Sequence, residues 1–179
     1  VAWVLSEHAN GELNLAPFSY FTAVCSDPPL MMISIGRKPD GSEKDTYRNI
    51  LDRKRFVIHI AGSDMAEAVT LSSKTMPAGQ SEVDLCDLRL AAFDPTGLQR
   101  VVGPKIAMAC EFYQTQDIGA ADQHLVFGKI NHIWMDDAVV HEDEQGRVKV
   151  SGEGVDALAR LGGGEYQTAG EILNIPRPL

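Results

Sequence analysis

Three short stretches near the start of the chain carry side chains that could bind an anionic ligand. The first, NLAPFSYFTAVCSDPP at residues 14–29, mixes amide and hydroxyl groups with three prolines. The second is GRK at residues 36–38, and the third is KDT at residues 44–46, where a helix is expected to begin. A helix N-terminus presents free N–H groups and a positive dipole end, which suit an anion. The lysine and threonine there would add a charge and a directed hydrogen bond.

Each stretch taken alone also has an ordinary structural explanation. Asp45 and Thr46 are common N-cap residues, and Arg37 is typical of a solvated loop. Pro28 and Pro29 could do no more than shape the start of a strand. The three stretches together, at this spacing, are less ordinary, and we expect them to line one site.

The spacing of cysteines and histidines argues against a metal centre or a covalent mechanism. The three cysteines, Cys25, Cys86 and Cys110, are widely separated and form no CxxC pair, which suits a reducing compartment. The five histidines are scattered, without HxxxH or HExxH spacing. No base is visible beside Cys25, so we interpret its thiol as a contact group rather than a nucleophile.

Composition limits the class of protein. The chain has 179 residues, 44% of them hydrophobic, which is enough for one globular domain over residues 1–179. Its net charge is −9 and no segment concentrates Lys and Arg, so nucleic acid and anionic membranes are not expected as partners. No apolar run approaches the ~20 residues of a membrane span, and no signal-peptide pattern occurs, so a cytoplasmic location is expected.

The pattern along the chain predicts a mainly β protein with a few helices. Strands are predicted at residues 30–36, 55–62, 88–94, 105–118 and 124–137, with a short edge strand inside 142–150. Helices are predicted at 45–52, 63–76 and 153–161, and residues 78–88 are expected to be irregular. Strands this long and dense favour a closed or nearly closed barrel. No GxGxxG follows a strand, which disfavours a Rossmann dinucleotide site.

These motifs together resemble the flavin reductase-like, FMN-binding split-barrel family, and within it the flavoredoxin-like branch. Members open with Asn-x-Ala-Pro-aromatic-Ser and continue with Ser-x-x-Pro-Pro, Lys-Asp-Thr and an Asn; here these are NLAPFS, SDPP, KDT and Asn49. The likeness continues in KTMPAGQSEVD, HLVFGKI and RLGGGEYQT, so it covers most of the chain. The resemblance implies a six-stranded split β-barrel that forms a homodimer, with FMN at or near the subunit interface.

The resemblance also implies which residues contact the cofactor. The two proline-containing segments would line the flavin ring and its ribityl chain, and the KDT helix start would reach the phosphate. FMN is expected rather than FAD because one phosphate-sized anion site is visible. The implied contact residues are Asn14, Ala16, Pro17, Phe18, Ser19, Cys25, Ser26, Asp27, Gly36, Arg37, Lys44, Asp45 and Thr46.

The activity implied by the resemblance is that of an FMN-dependent oxidoreductase. It would take hydride from NADH or NADPH and pass electrons to an acceptor that the sequence leaves open. Flavin chemistry requires no acid–base pair from the protein, and none stands out. A non-enzymatic FMN electron carrier is the main alternative, and an oxidase of the related pyridoxamine-phosphate group is a weaker one.

One departure bears on that choice. Some short flavin reductases carry Gly-Asp-His before the late strand, where this chain has Gln123, and a Glu where this chain has Lys129. His124 could substitute or could be an ordinary strand residue. Tyr166 follows a glycine-rich turn and could cover a site. Nicotinamide binding is therefore left open by the sequence.

Overall fold

The computed structural model describes residues 1–77, 79–120, 123–173 and 175, in which strands predominate over helices. The strands are β1 (Ala2–Glu7), β2 (Leu13–Phe18), β3 (Phe21–Ser26), β4 (Pro29–Ile35), β5 (Arg55–Ile60), β6 (Leu90–Phe93), β7 (Leu98–Val101), β8 (Ile106–Ile118), β9 (Gln123–Met135), β10 (Val140–Glu142), β11 (Val148–Val150), β12 (Ala159–Gly162) and β13 (Glu165–Gln167). The α-helices are α1 (Asp45–Arg53), α2 (Ala66–Leu71), α3 (Glu82–Leu85) and α4 (Gly152–Val155).

The main sheet has seven strands in the order β2-β1-β5-β8-β9-β4-β3. Every neighbouring pair is antiparallel. β2 ends at Phe18 and β3, at the far edge of the sheet, begins at Phe21. Because three residues span at most about 11 Å, the two edges must approach each other at this end. The sheet is therefore strongly curled.

The expectation of a mainly β protein with few helices is confirmed, but the expected six-stranded barrel is wrong in its strand count. In the described residues the main sheet has seven strands, and no ladder joins β2 to β3 to close it. The stretch 14–29 forms most of β2, all of β3 and the start of β4. Its prolines are tolerated because Pro17 lies on an edge strand and Pro29 begins a strand.

The helix predictions have mixed outcomes. The helix at 45–52 is confirmed as α1, although its N-cap is Lys44, and Asp45 is its first residue rather than its cap. The helix at 63–76 is reduced to α2 after a short 3₁₀ turn, and the stretch expected to be irregular contains α3. The helix at 153–161 is wrong, since α4 ends at Val155 and the chain then forms β12.

The glycine run explains the error at the last helix. Gly162, the last residue of β12, and Gly163, in the tight turn that leads to β13, have φ values of 141° and 52°. Glycine adopts positive φ readily, so the same residues suit a hairpin turn as well as a helix C-cap. Pairing with β13, which lies further along the chain, decides between the two.

Each face of the curled sheet carries a buried core. One face packs against α1, and its core includes Val4, Ile33, Ile58 and Val126 with Tyr47 and Ile50 of the helix. The other face is covered by α2, α3 and the β6–β7 hairpin, and its core includes Trp3, Leu15 and Val57 with Val69, Val83 and Phe93. Helices thus flank β2, the edge strand that carries NLAPF. Within the described residues, no helix has the length and apolar character needed to cross a membrane.

Candidate functional site

A cleft of about 310 Å³ lies beside β2, between the start of α1 and the segment that follows α2. β2 contributes Asn14, Ala16 and Pro17 to its lining. The loop from β4 into α1 contributes residues 37–39 and 44–46. The third wall is residues 72–76, together with Glu82 of α3. The three stretches singled out in the sequence therefore meet, in part, at one place.

Asn14 connects β2 to the start of α1. Its Nδ2 donates to Oγ1 of Thr46 at 2.9 Å and lies 3.1 Å from Oγ of Ser6. Asn14 and Thr46 are both buried. Because the Thr46 oxygen accepts from Asn14, its own hydroxyl proton can point elsewhere, and Thr46 lines the cleft. This bond sets the helix N-terminus at a defined distance from the strand.

Lys44 is the cation best placed to attract an anion. Its Nζ lies 5.5 Å from the ring centroid of Phe18, a buried residue at the end of β2. Within the described part of the chain Lys44 makes no ion pair, and burial lowers the pKa of its ammonium group. An anion in the cleft would offset that desolvation. Lys44 also precedes the first turn of α1, whose N–H groups face the same end.

Asp45 orders the cations around it and is not placed to bind an anion itself. Its carboxylate accepts a hydrogen bond from Nζ of Lys38 at 2.8 Å and another from the guanidinium of Arg48. Burial opposes ionisation of Asp45, but these two cations outweigh it and hold the pKa of the carboxyl below its usual value. Arg37, next to Lys38, lines the cleft and donates to the carbonyl of Gly41 at 3.3 Å.

Six of the predicted contact residues do not line this cleft. Ser19, Cys25, Ser26 and Asp27 are exposed. Ser19 lies in the turn that leads from β2 to β3, and the other three lie in β3 or directly after it, at the opposite edge of the sheet from β2. Gly36 directly precedes the cleft loop, but a side chain there would meet the amide of Gln123 at 3.1 Å. Phe18 lies beneath Lys44 in the core. The family resemblance, together with closeness in sequence, had grouped these residues with Asn14 and Lys44.

The third wall was not among the predicted contacts. Ser72 is fixed there because its Oγ accepts from Nε1 of Trp3 at 2.8 Å and donates to the carbonyl of Val69 at 2.9 Å. Ser73, Lys74, Thr75 and Met76 follow it along the cleft. The signal that could have found this wall is the family-like run KTMPAGQSEVD, which begins at Lys74.

His124 and Tyr166, whose roles the sequence left undecided, lie outside the cleft lining. His124 is buried, stacks on Tyr47 at a centroid distance of 3.9 Å, and its Nδ1 lies 2.6 Å from Oδ1 of Asp117. The hydroxyl of Tyr166 lies 2.9 Å from Oγ1 of Thr70 and joins the β12–β13 hairpin to α2. Among the described residues no cluster of His, Cys, Asp and Glu could hold a metal ion.

Comparison with known proteins decides the family. Residues 1–149 match the flavin reductase like domain. The chain belongs to this family. Among its relatives, the uncharacterised protein BH2278 of Halalkalibacterium halodurans is 31% identical over 99% of this chain and 85% of its own length. The structure of nitrilotriacetate monooxygenase component B from Bacillus cereus matches with a TM-score of 0.86 at 29% identity, covering 97% of this chain and 85% of that one.

More distant structures share the fold of this flavin reductase like chain. A Shewanella frigidimarina structure with a split barrel domain has a TM-score of 0.84 at 20% identity, covering 99% of this chain and 85% of that one. Flavoredoxin of Desulfovibrio vulgaris has a TM-score of 0.78 at 19% identity, covering 97% of this chain and 88% of that one. The likeness to a split-barrel fold therefore stands, although the strand count differs from the expected six.

Proposed function

We propose that the chain binds FMN in the cleft beside β2 and acts as an FMN-dependent oxidoreductase with NADH or NADPH as electron donor. Membership in the flavin reductase like domain family supports the reaction class. The observation that carries the site is Lys44, a half-buried cation without an ion-pair partner in the described residues, beside a helix N-terminus. The phosphate would bind to Lys44, to the Thr46 hydroxyl and to the first N–H groups of α1.

The chemistry of the lining fits this cofactor. Pockets for ligands of this size are ~300–1,000 Å³ and combine apolar walls with a few directed polar groups. Here Ala16 and Pro17 supply an apolar wall on β2, while Lys38, Lys44 and Lys74 collect positive charge in a chain whose net charge is −9. A local excess of cations in an acidic protein favours binding of a phosphate group over other faces of the molecule.

When bound, FMN would supply the hydride- and electron-transfer chemistry. The residues of this chain would bind and orient it. Asn14 would keep the β2 wall and the helix start in register through Thr46, and Asp45 would keep Lys38 turned toward its own carboxylate. No acid–base pair is required of the protein for such a reaction.

A non-enzymatic FMN electron carrier is the second candidate. It is favoured by Gln123, which stands where some short flavin reductases carry a histidine, and whose amide donates to Oγ of Ser34 at 2.9 Å. The exposed acidic residues Glu142 and Glu144, beside Asp143, would suit docking to a basic partner protein. Such a carrier would hold FMN tightly and react slowly with free nicotinamides.

The experiment that tests both candidates is an absorbance titration under anaerobic conditions. The purified chain is titrated with FMN, FAD and riboflavin, and the FMN complex is then mixed with NADH or NADPH. The proposal expects tightest binding of FMN and bleaching of the flavin band by one of the two nicotinamides. Tight FMN binding without bleaching would support the carrier. Equal affinity for riboflavin and FMN would contradict a phosphate site at Lys44.

We also propose a homodimer. β3 is an edge strand whose residues Thr22 to Ser26 are all exposed, and soluble proteins usually cover such edges. In a dimer, the predicted contact residues Ser19, Cys25, Ser26 and Asp27 could face the cleft of the partner subunit. Light scattering is expected to give about twice the chain mass of 19.5 kDa. A monomer that still binds FMN would contradict the shared site.

A further inference from the structure

Glu82 is a buried carboxylate in the lining of the cleft, and its hydrogen bond to β2 uses one of its two oxygens. The residue is 6% exposed. Oε2 accepts a hydrogen bond from the backbone N–H of Leu15 at 2.9 Å, which attaches the first residue of α3 to β2. The carboxylate also accepts a hydrogen bond from the backbone N–H of Glu82 itself. In the described ranges Oε1 makes no hydrogen bond with another residue, and the side chain lines the cleft. A carboxylate has about four lone-pair sites, so it can still accept a hydrogen bond from a ligand in the cleft.

The charges around Glu82 define what kind of group that oxygen can meet. Asp45 is a second carboxylate in the same cleft, and Lys38 is the cation that acts on both. Burial and then Asp45 raise the pKa of Glu82, while the backbone N–H groups of Leu15 and of Glu82 itself, and then Lys38, act in the opposite direction. A phosphate would be repelled from this position and would remain with Lys44 at the start of α1. A carboxylate oxygen accepts hydrogen bonds, so a hydroxyl group is the complementary ligand group.

We propose that Glu82 accepts a hydrogen bond from a hydroxyl of the chain that joins the ring of the ligand to its phosphate, so that the cleft selects a polyhydroxylated phosphate ester. This rests on the proposed binding of FMN, whose ribityl chain carries such hydroxyls. The cleft then has two polar ends with different roles. Lys44 and the α1 N-terminus recognise the phosphate, and Glu82 recognises the hydroxylated linker.

The test uses Glu82→Gln and three flavins that differ in the groups attached to the ring. The substituted glutamine keeps the size of the side chain and an oxygen that can accept from Leu15, but it loses the charge. FMN carries the hydroxylated linker and the phosphate, riboflavin carries the linker alone, and lumiflavin carries neither. Dissociation constants are measured by flavin fluorescence at about pH 8, well above the usual carboxyl pKa.

The expected result is a different change for each ligand. Riboflavin should bind roughly tenfold more weakly to Glu82→Gln, equivalent to about 1.4 kcal/mol. Lumiflavin should bind as before. FMN should weaken less than riboflavin, because removal of a negative charge also favours its phosphate. The ratio of FMN to riboflavin affinity should therefore rise, which loss of a purely structural contact would not produce.

The controls separate this role from a structural one. Glu67→Gln on the exposed face of α2 removes the same charge away from the cleft and should change no affinity. If circular dichroism shows that Glu82→Gln does not fold, Glu82→Asp is used instead, since it keeps the charge but withdraws the carboxylate from the ligand. Riboflavin affinity should then fall to the same extent, and lumiflavin affinity should be unchanged. If Glu82→Gln weakens all three flavins equally, or leaves riboflavin binding unchanged, the proposed role of Glu82 is wrong. The proposed binding of FMN in the cleft is not affected by either result. A wild-type chain that binds none of the three would overturn the proposed function and this inference with it.

Discussion

The carboxylate of Asp45 lies 2.8 Å from the ammonium group of Lys38, and both side chains are largely buried, with exposed fractions of 11% and 15%. This ion pair joins the loop after β4 to the first residue of α1. The loop carries Arg37 and Lys38 into the cleft, so the pair determines where the positive charges of the site stand. Arg48, one helical turn further on, donates to the same carboxylate.

Asp45→Asn is expected to lower the free energy of unfolding by about 2 kcal/mol, since it removes a hydrogen-bonded charge from two cations. It should also weaken FMN binding severalfold, because the loop is no longer held to the helix. Urea denaturation and flavin fluorescence measure the two effects. Asp52→Asn, a change further along the same helix, is the matched control. An unchanged free energy of unfolding would show that the pair contributes nothing net.

The contribution of Asp45 has a defined pH dependence. Its folded-state pKa lies below the unfolded value of 3.8, so the folded chain binds fewer protons in that range. The stabilisation is complete above the unfolded pKa and is lost as pH falls through the lower, folded value. The stability gap between the wild type and Asp45→Asn should therefore narrow below about pH 4. A gap that persists at still lower pH would contradict a charge-based role.

Lys44→Ala is expected to weaken FMN binding about tenfold or more, since a charge-assisted hydrogen bond to phosphate contributes about 1.5–3 kcal/mol. Riboflavin lacks the phosphate, so its affinity should be nearly unchanged. Isothermal titration with both ligands makes the measurement. Lys149→Ala, on exposed β11, removes an equal charge elsewhere. Parallel losses for the two flavins would mean that Lys44 supports the fold through Phe18 and not the ligand.

His59 is expected to stay neutral in the folded chain well below pH 6. The Val101 N–H lies 3.0 Å from Nε2, which must accept, so Nδ1 carries the proton and donates to the Trp3 carbonyl at 3.0 Å. Burial lowers the pKa of His59 from 6.5 to about 4. Long-range ¹⁵N–¹H NMR should report this single tautomer at about pH 5.5, with exposed His141 as an internal reference.

The same residue links stability to pH. Between about pH 6.5 and 4 the unfolded chain binds a proton at His59 that the folded chain does not. The stabilisation that comes from the neutral His59 ring is therefore complete above pH 6.5. As pH falls from 6.5 to 4, the free energy of unfolding decreases by about 3 kcal/mol because of this residue. Urea denaturation at several pH values measures the slope. A flat stability profile across this window would contradict the buried, neutral ring.

Gly128→Ala is expected to destabilise the chain by about 1–3 kcal/mol. Gly128 on β9 faces Phe56 so closely that an added Cβ would lie 2.5 Å from Cζ of that ring and 3.3 Å from Cβ of Cys110. A register irregularity occurs opposite Gly128, between Phe112 and Gln114 of β8. Gly164→Ala, where an added Cβ meets nothing within 4 Å, should be nearly neutral in the same thermal unfolding assay.

The sequence by itself determined the elements that are specified by local pattern. Alternation and apolar runs predicted β4, β5, β8 and β9, because strand periodicity is read over a few neighbouring residues. The amphipathic spacing of Tyr47 and Ile50 likewise predicted α1. Asn14, Lys44 and Thr46 were singled out as one set, and they do meet at the cleft.

Only the tertiary structure decided which of the remaining residues meet. Residues 25–27 follow the cleft residues of β2 in sequence but lie at the other edge of the sheet, because the chain crosses between edges after Phe18. Glu82 lies 67 positions from Leu15 and accepts a hydrogen bond from it, and Ser72 is held by Trp3 from 69 positions away. Such contacts depend on strand pairing and packing across the whole sheet, and no local periodicity encodes them.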